Sequence, residues 1–181
     1  MIGGKGAIMI LGMSLAAFTT LHVIISLVGI VSGIVVLIAM LTGKAPGAWT
    51  ALFLATTVLT SATGFLFPNA SFTPGQGIGI LSLVLLAIAL FALYGQHLAG
   101  AWRWIYVVTA VLALYLNCFV AVVQSFQKLP FLQPLSPTRS ELPFQIAQGI
   151  VLLIFVLAGI AAVRRFHPER IPSRSGKTAS A

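Results

Sequence analysis

The stretch WRWIYVVTAVLALYLNCFVAVVQS, residues 102–125, carries one charge, Arg103, at its very start. About 20 apolar residues in helical form cross the hydrocarbon core of a bilayer, and this run has that length. Its few polar groups are ordered. Tyr106, Thr109, Ala113, Asn117, Ala121 and Gln124 follow i, +3, +7, +11, +15 and +18 and fall on one helical face. Asn117 is the deepest strongly polar group, and an amide in hydrocarbon must find a partner because leaving it unpaired costs several kcal/mol. The stretch therefore predicts a membrane-spanning helix with one face turned toward other helices.

The same reading extends along the chain. Runs at 18–42, 48–67, 77–95 and 145–164 match 102–125 in apolar character. Breakers separate them: Pro46 within 43–47, Pro74 within 68–77, Gly95 to Gly100, and a proline-rich stretch from Pro130 to Pro143. Of the 181 residues 59% are hydrophobic and 7% charged, whereas a soluble domain carries about 25% charged residues. Too few charges exist to wet a globular surface. The expectation is an all-α, polytopic membrane bundle of about five transmembrane helices over residues 1–166, followed by a basic, disordered cytoplasmic tail at 167–181.

Orientation follows from the cations. With the C-terminus inside, Lys44, Arg103, Arg164, Arg165, Arg170, Arg174 and Lys177 face the cytoplasm, and Lys5, Lys128 and Arg139 lie outside. Cytoplasmic loops carry the excess of Lys and Arg, so this asymmetry predicts N-out, C-in. Trp49, Tyr94, Trp102 and Trp104 then sit at the inner interface. Cations placed at loops and helix ends set topology and contact anionic lipid, which argues against nucleic acid as the partner for the net charge of +8. The N-terminus is less decided. Ala7 to Thr42 is apolar without a break, so residues 1–17 are an interfacial piece, part of a long tilted first span, or a cleaved signal segment.

Small and polar residues suggest where helices meet. His22, Ser26, Gly29 and Gly33 share a face of the first span, and Gly29 and Gly33 form the G-x-x-x-G spacing that lets backbones approach. The second span carries Thr56, Thr57, Thr60, Ser61 and Thr63; hydroxyls in such runs can bond the carbonyl four residues back. With the predicted topology, His22, Ser26, Thr60, Ser61, Asn117, Gln124 and Gln148 fall in the outer half of the membrane. They are the candidate ligand-binding residues of a neutral polar cavity open to the outside, set against the plainer reading that outer helix ends simply meet a wet interface.

The absent residues exclude chemistry. There is no aspartate, and Glu141 and Glu169 are the only carboxylate side chains. Aspartyl intramembrane proteolysis and carboxylate-bridged metal centres are excluded on that ground, and no catalytic or metal-ligand motif stands out. Cys118, the single cysteine, allows no intrachain disulfide. Haem held between His22 and His97 would need ligands on opposite sides of the membrane, which leaves single-histidine ligation at His22. A quinone asks only for hydrogen-bond partners such as His22, Asn117 and Gln124. Thr138-Arg139-Ser140-Glu141 reads as a capping box entering the fifth span, and Asn69-Ala70-Ser71 matches the glycosylation sequon.

Three segments carry a resemblance: Thr60-Ser61-Ala62-Thr63-Gly64-Phe65-Leu66-Phe67-Pro68, Gly100-Ala101-Trp102-Arg103-Trp104-Ile105-Tyr106, and Ala113-Leu114-Tyr115-Leu116-Asn117. From about His22 to Phe166 the chain resembles a group of uncharacterised small bacterial inner-membrane proteins. The resemblance implies a multi-pass protein of the inner (plasma) membrane and brings no activity with it. The expected function is that of a non-enzymatic accessory subunit or scaffold, with a membrane-protein partner or a second copy beside the lipid bilayer. A lipophilic-ligand or redox protein taking quinone or haem is the alternative, and a small-solute carrier the third.

Overall fold

Five helices follow one another in the computed structural model, which describes residues 9–68, 71–138 and 140–167. They are α1 (Leu15–Leu41), α2 (Ala48–Gly64), α3 (Pro74–Leu90), α4 (Trp102–Lys128) and α5 (Leu142–Arg165). A short antiparallel pair, β1 (Met9–Ile10) and β2 (Met13–Ser14), precedes them. The all-α bundle predicted from the apolar runs is what forms. Lys5, Arg139, the Asn69-Ala70 part of the sequon and tail residues 168–181 lie outside the described residues.

Four of the helices, α1, α3 with its π-helical last turn Phe91–Gly95, α4 and α5, are long and apolar enough to cross a bilayer. At 1.5 Å per residue α1 and α4 reach about 40 Å. The second helix falls short of the expected 48–67: it stops at Gly64, and Phe65 and Leu66 turn away before Pro68. Its 17 residues give about 25 Å, less than the ~30 Å hydrocarbon thickness. Proline sets this end, because the residue before it is driven out of the helical region. The other helices overrun the apolar windows by about a turn, since capping and turn residues continue the backbone past the last buried side chain.

The ends have specific causes. Ser14 caps α1, its hydroxyl accepting the Ala17 N–H at 3.2 Å. The two-residue turn Leu11-Gly12 takes positive φ at both positions, 51° and 78°, the geometry that suits a tight hairpin. Residues 9–14 thus form a small hairpin ahead of α1. Thr73 and Gln76 form a full capping box on α3, each side chain bonding the other's backbone N–H, with Pro74 in the first turn.

The capping box expected at Thr138–Glu141 does not form around α5. Glu141 is itself the N-cap residue, without a side-chain bond into the helix. Pro143 in the first turn fixes the start there, where a missing N–H costs nothing. The Glu141 carboxylate instead turns back and clasps the loop, accepting from the Ser136 and Thr138 hydroxyls and from the Thr138 and Ser140 N–H groups.

Neighbouring helices run antiparallel, so two ends of the bundle are defined. At one, His22 of α1 meets Thr63 of α2, and Phe126 of α4 meets Phe144 of α5. At the other, Arg103 Nη1 donates to the Phe166 carbonyl at 2.8 Å, tying the start of α4 to the end of α5. Phe166 is buried beneath Tyr106, with ring centroids 6.0 Å apart. The core lies toward this second end, where Met40, Phe53, Leu54, Leu86, Val107 and Leu114 are all closed from solvent. Among the described residues Lys44, Arg103, Arg164 and Arg165 gather at the Arg103 end and Lys128 alone at the other.

The clasp at Glu141 has a pH signature. Its hydrogen bonds, that from Ser136 foremost, hold the carboxyl at about 2 against an ordinary 4.5. A depressed carboxyl contributes stability that is complete above its unfolded value and is lost as pH falls through its folded one. The Thr138 and Ser140 amide resonances in micelles are expected to stay fixed down to pH 4.5 and to move as pH approaches 2. In Glu141→Gln that step disappears; a wild-type midpoint near 4.5 would mean the clasp does not form.

Candidate functional site

The G-x-x-x-G face of α1 is where three helices meet. A Cβ on Gly33 would stand 2.5 Å from Leu114 Cδ1 of α4 and 2.8 Å from Phe53 Cδ2 of α2. No side chain fits there. One turn earlier, a Cβ on Gly29 would lie 3.2 Å from Asn117 Nδ2, 3.2 Å from Thr56 Oγ1 and 3.3 Å from Thr57 Oγ1. The bare backbone of α1 therefore brings the amide of α4 and two hydroxyls of α2 around one methyl-sized position. Small residues allow such approach in lipid, where dispersion and hydrogen bonds replace the hydrophobic drive.

The polar atoms of this cluster differ in how they are satisfied. Thr56 gives its hydroxyl to the Leu52 carbonyl at 2.7 Å, the back-bond expected of a helical threonine. The buried Thr57 and Thr60 hydroxyls and the Asn117 amide nitrogen have no hydrogen-bond partner among the described residues. Thr57 and Asn117 line the seam between α1, α2 and α4 beside Gly29.

Nearer the helix ends, a second group forms around His22. Its Nδ1 lies 2.8 Å from Thr63 Oγ1, which donates in turn to the Leu59 carbonyl at 2.6 Å. With that hydroxyl proton engaged, Nδ1 is the donor to Thr63. The imidazole stands edge-on to Phe67 at 5.2 Å, and Phe67 also packs on Phe18 at 5.1 Å. Ser26 donates to the His22 carbonyl at 2.8 Å. Ser61 is buried, and its carbonyl faces Gly79 of α3.

The remaining candidates are placed elsewhere. Gln148 donates from Nε2 to the Phe119 carbonyl at 3.2 Å across α4 and α5, while its Oε1 is buried without a hydrogen-bond partner among the described residues. Gln124 is exposed. On the face read from Tyr106 to Gln124, the Tyr106, Thr109 and Ala113 side chains are buried, and the face emerges from the bundle beyond Asn117. Thus Asn117, Gly29, Thr56 and Thr57 converge, His22 and Thr63 pair, Ser26 bonds only within α1, and Gln124 and Gln148 have no hydrogen-bond contact with either group. Periodicity could not foresee this, because it places residues on a face without saying which neighbour the face meets.

Sequence reasoning did not single out Thr56 and Thr57 as site residues, nor the Arg103–Phe166–Tyr106 tie. The threonines were visible as a dense hydroxyl run. The tie had no sequence signal, since it joins residues 63 positions apart. Among the described residues no group of three or more His, Cys, Asp or Glu side chains gathers to hold a metal ion. Comparison with known protein families, with characterised proteins and with solved structures returns no match.

The seam ranks two substitutions. Gly33→Ala is expected to destabilise the bundle by about 1–3 kcal/mol, the usual cost of overpacking. Gly29→Ala should cost less, because its neighbours are side-chain tips that stand at 3.2 Å or beyond. Thermal unfolding in mild detergent measures both, and equal transition temperatures would contradict the packing described.

Proposed function

We propose that the chain is a non-enzymatic accessory subunit of a membrane assembly, with α5 as its docking helix. One observation carries this reading: of the 24 residues of α5, only Ala162 is buried. Ile146, Ile150, Leu153 and Leu157 follow i, +4, +7 and +11 and form one continuous exposed ridge, each more than half accessible. A helix that contributes so little to its own core is free to serve another. The positive charge and aromatic residues at the Arg103 end support a cytoplasmic placement of that end, and the resemblance to bacterial inner-membrane proteins supports that membrane.

Site-directed cross-linking tests this. In a Cys118→Ser background, Leu153→Cys on the ridge is expected to give an adduct of defined mass in native membranes, either with a second copy or with a distinct protein. Ile80→Cys, about half exposed on α3, should give none. The same diffuse labelling at both positions would set the subunit reading aside.

A second reading, a lipophilic-ligand or redox protein, draws support from the unpartnered Thr57, Thr60 and Asn117 atoms. On that reading a quinone carbonyl accepts from these donors, or haem takes His22. A visible absorption band in the purified chain that vanishes in His22→Ala is its expected mark. A colourless preparation removes the haem version.

A further inference from the structure

A furrow of about 340 Å³ runs between α4 and α5, bordering the Ile146–Leu157 ridge, whose helical face Arg164 continues. Val111 and Tyr115 of α4 and Leu152, Phe155 and Gly159 of α5 form its apolar walls and floor, and Arg164 lies at one end. Gly159 gives it depth: a Cβ there would meet only Val111 Cγ1, at an ordinary 3.5 Å. From Leu152 to Arg164 the furrow follows α5 for about 18 Å at 1.5 Å per residue. Half of a ~30 Å hydrocarbon core is ~15 Å. The furrow is therefore one leaflet deep, apolar along its length and cationic where the headgroups lie.

Arg164 is exposed and forms no ion pair or hydrogen bond among the described residues. Its neighbour Arg103 differs, being committed to the Phe166 carbonyl. A guanidinium matches a phosphate oxygen pair with two parallel hydrogen bonds, and a basic pocket between helices at a membrane face binds anionic headgroups.

We propose that this furrow is a binding site for an anionic phospholipid, one acyl chain lying against Gly159 and Phe155 and the phosphodiester on Arg164. The occupant follows from the pairing of a leaflet-length apolar channel with an uncommitted cation at its mouth. The site does not rest on the subunit reading, because its acyl channel is formed by Leu152, Phe155 and Gly159 with α4 and by none of the four ridge residues.

The test uses the full chain reconstituted in equimolar phosphatidylcholine and phosphatidylglycerol, then extracted in mild detergent and read by native mass spectrometry for retained lipid. Wild type is expected to keep phosphatidylglycerol over phosphatidylcholine by about five-fold, the selectivity one cation near the surface supplies. Arg164→Gln should bind either lipid alike. Gly159→Leu, which fills the floor without meeting backbone, should lose retained lipid of both kinds. Arg165→Gln should keep the wild-type preference, since Arg165 does not line the furrow. Equal loss of preference in Arg164→Gln and Arg165→Gln would overturn the site in favour of diffuse surface charge. Unchanged retention in Gly159→Leu would overturn the acyl-chain position. Monodisperse elution of every variant shows that the bundle has folded.

Discussion

The absence of a side chain at Gly33 allows α1 to press its backbone against α2 and α4, and the arrangement of the bundle rests on that approach. Lipid is as apolar as leucine, so helices in a bilayer gain little by hiding hydrocarbon from it. They associate where atoms can interlock closely. Leu114 and Phe53 fill the notch that Gly33 leaves, and both are buried. From that notch α4 is held centrally, with α3 and α5 packed along its sides.

The polar seam follows from the same contact. Once α1 sits close to α2 and α4, Thr56, Thr57 and Asn117 must converge near Gly29, because each lies on the face the notch has selected. Some hydroxyls solve the problem locally by donating to a carbonyl four residues back. Others stay turned inward. The bundle thus holds a short polar vein within an apolar protein, flanked toward the His22 end by the imidazole and Thr63. At the opposite end, Arg103 supplies a donor for the Phe166 carbonyl, one of the last carbonyls of α5 left without a helical partner, and Phe166 closes the core beneath Tyr106.

The least committed element is α5. It packs on α4 and, less extensively, on α1, and leaves open a ridge of large aliphatic side chains with a furrow ending in a cation beside it. In water such a helix would be a liability. In a bilayer an open apolar face carries no such penalty, because lipid is as apolar as the side chains it meets.

Composition and apolar run length determined the helical class and the number of helices, because every backbone group within a bilayer must be paired inside its own segment. Helical period likewise put Gly29 and Gly33 on one face with His22, and Tyr106 on one face with Asn117. Both rules act within a single helix and are legible from residue order. Partner choice between helices is not. That Asn117 meets Gly29 while Gln148 turns to Phe119, that Glu141 bends back to Ser136 instead of entering a capping box, and that Arg103 reaches Phe166 were decided by packing alone. Each depends on how far two rods can approach, and that distance is set by side-chain volumes on elements far apart in the chain.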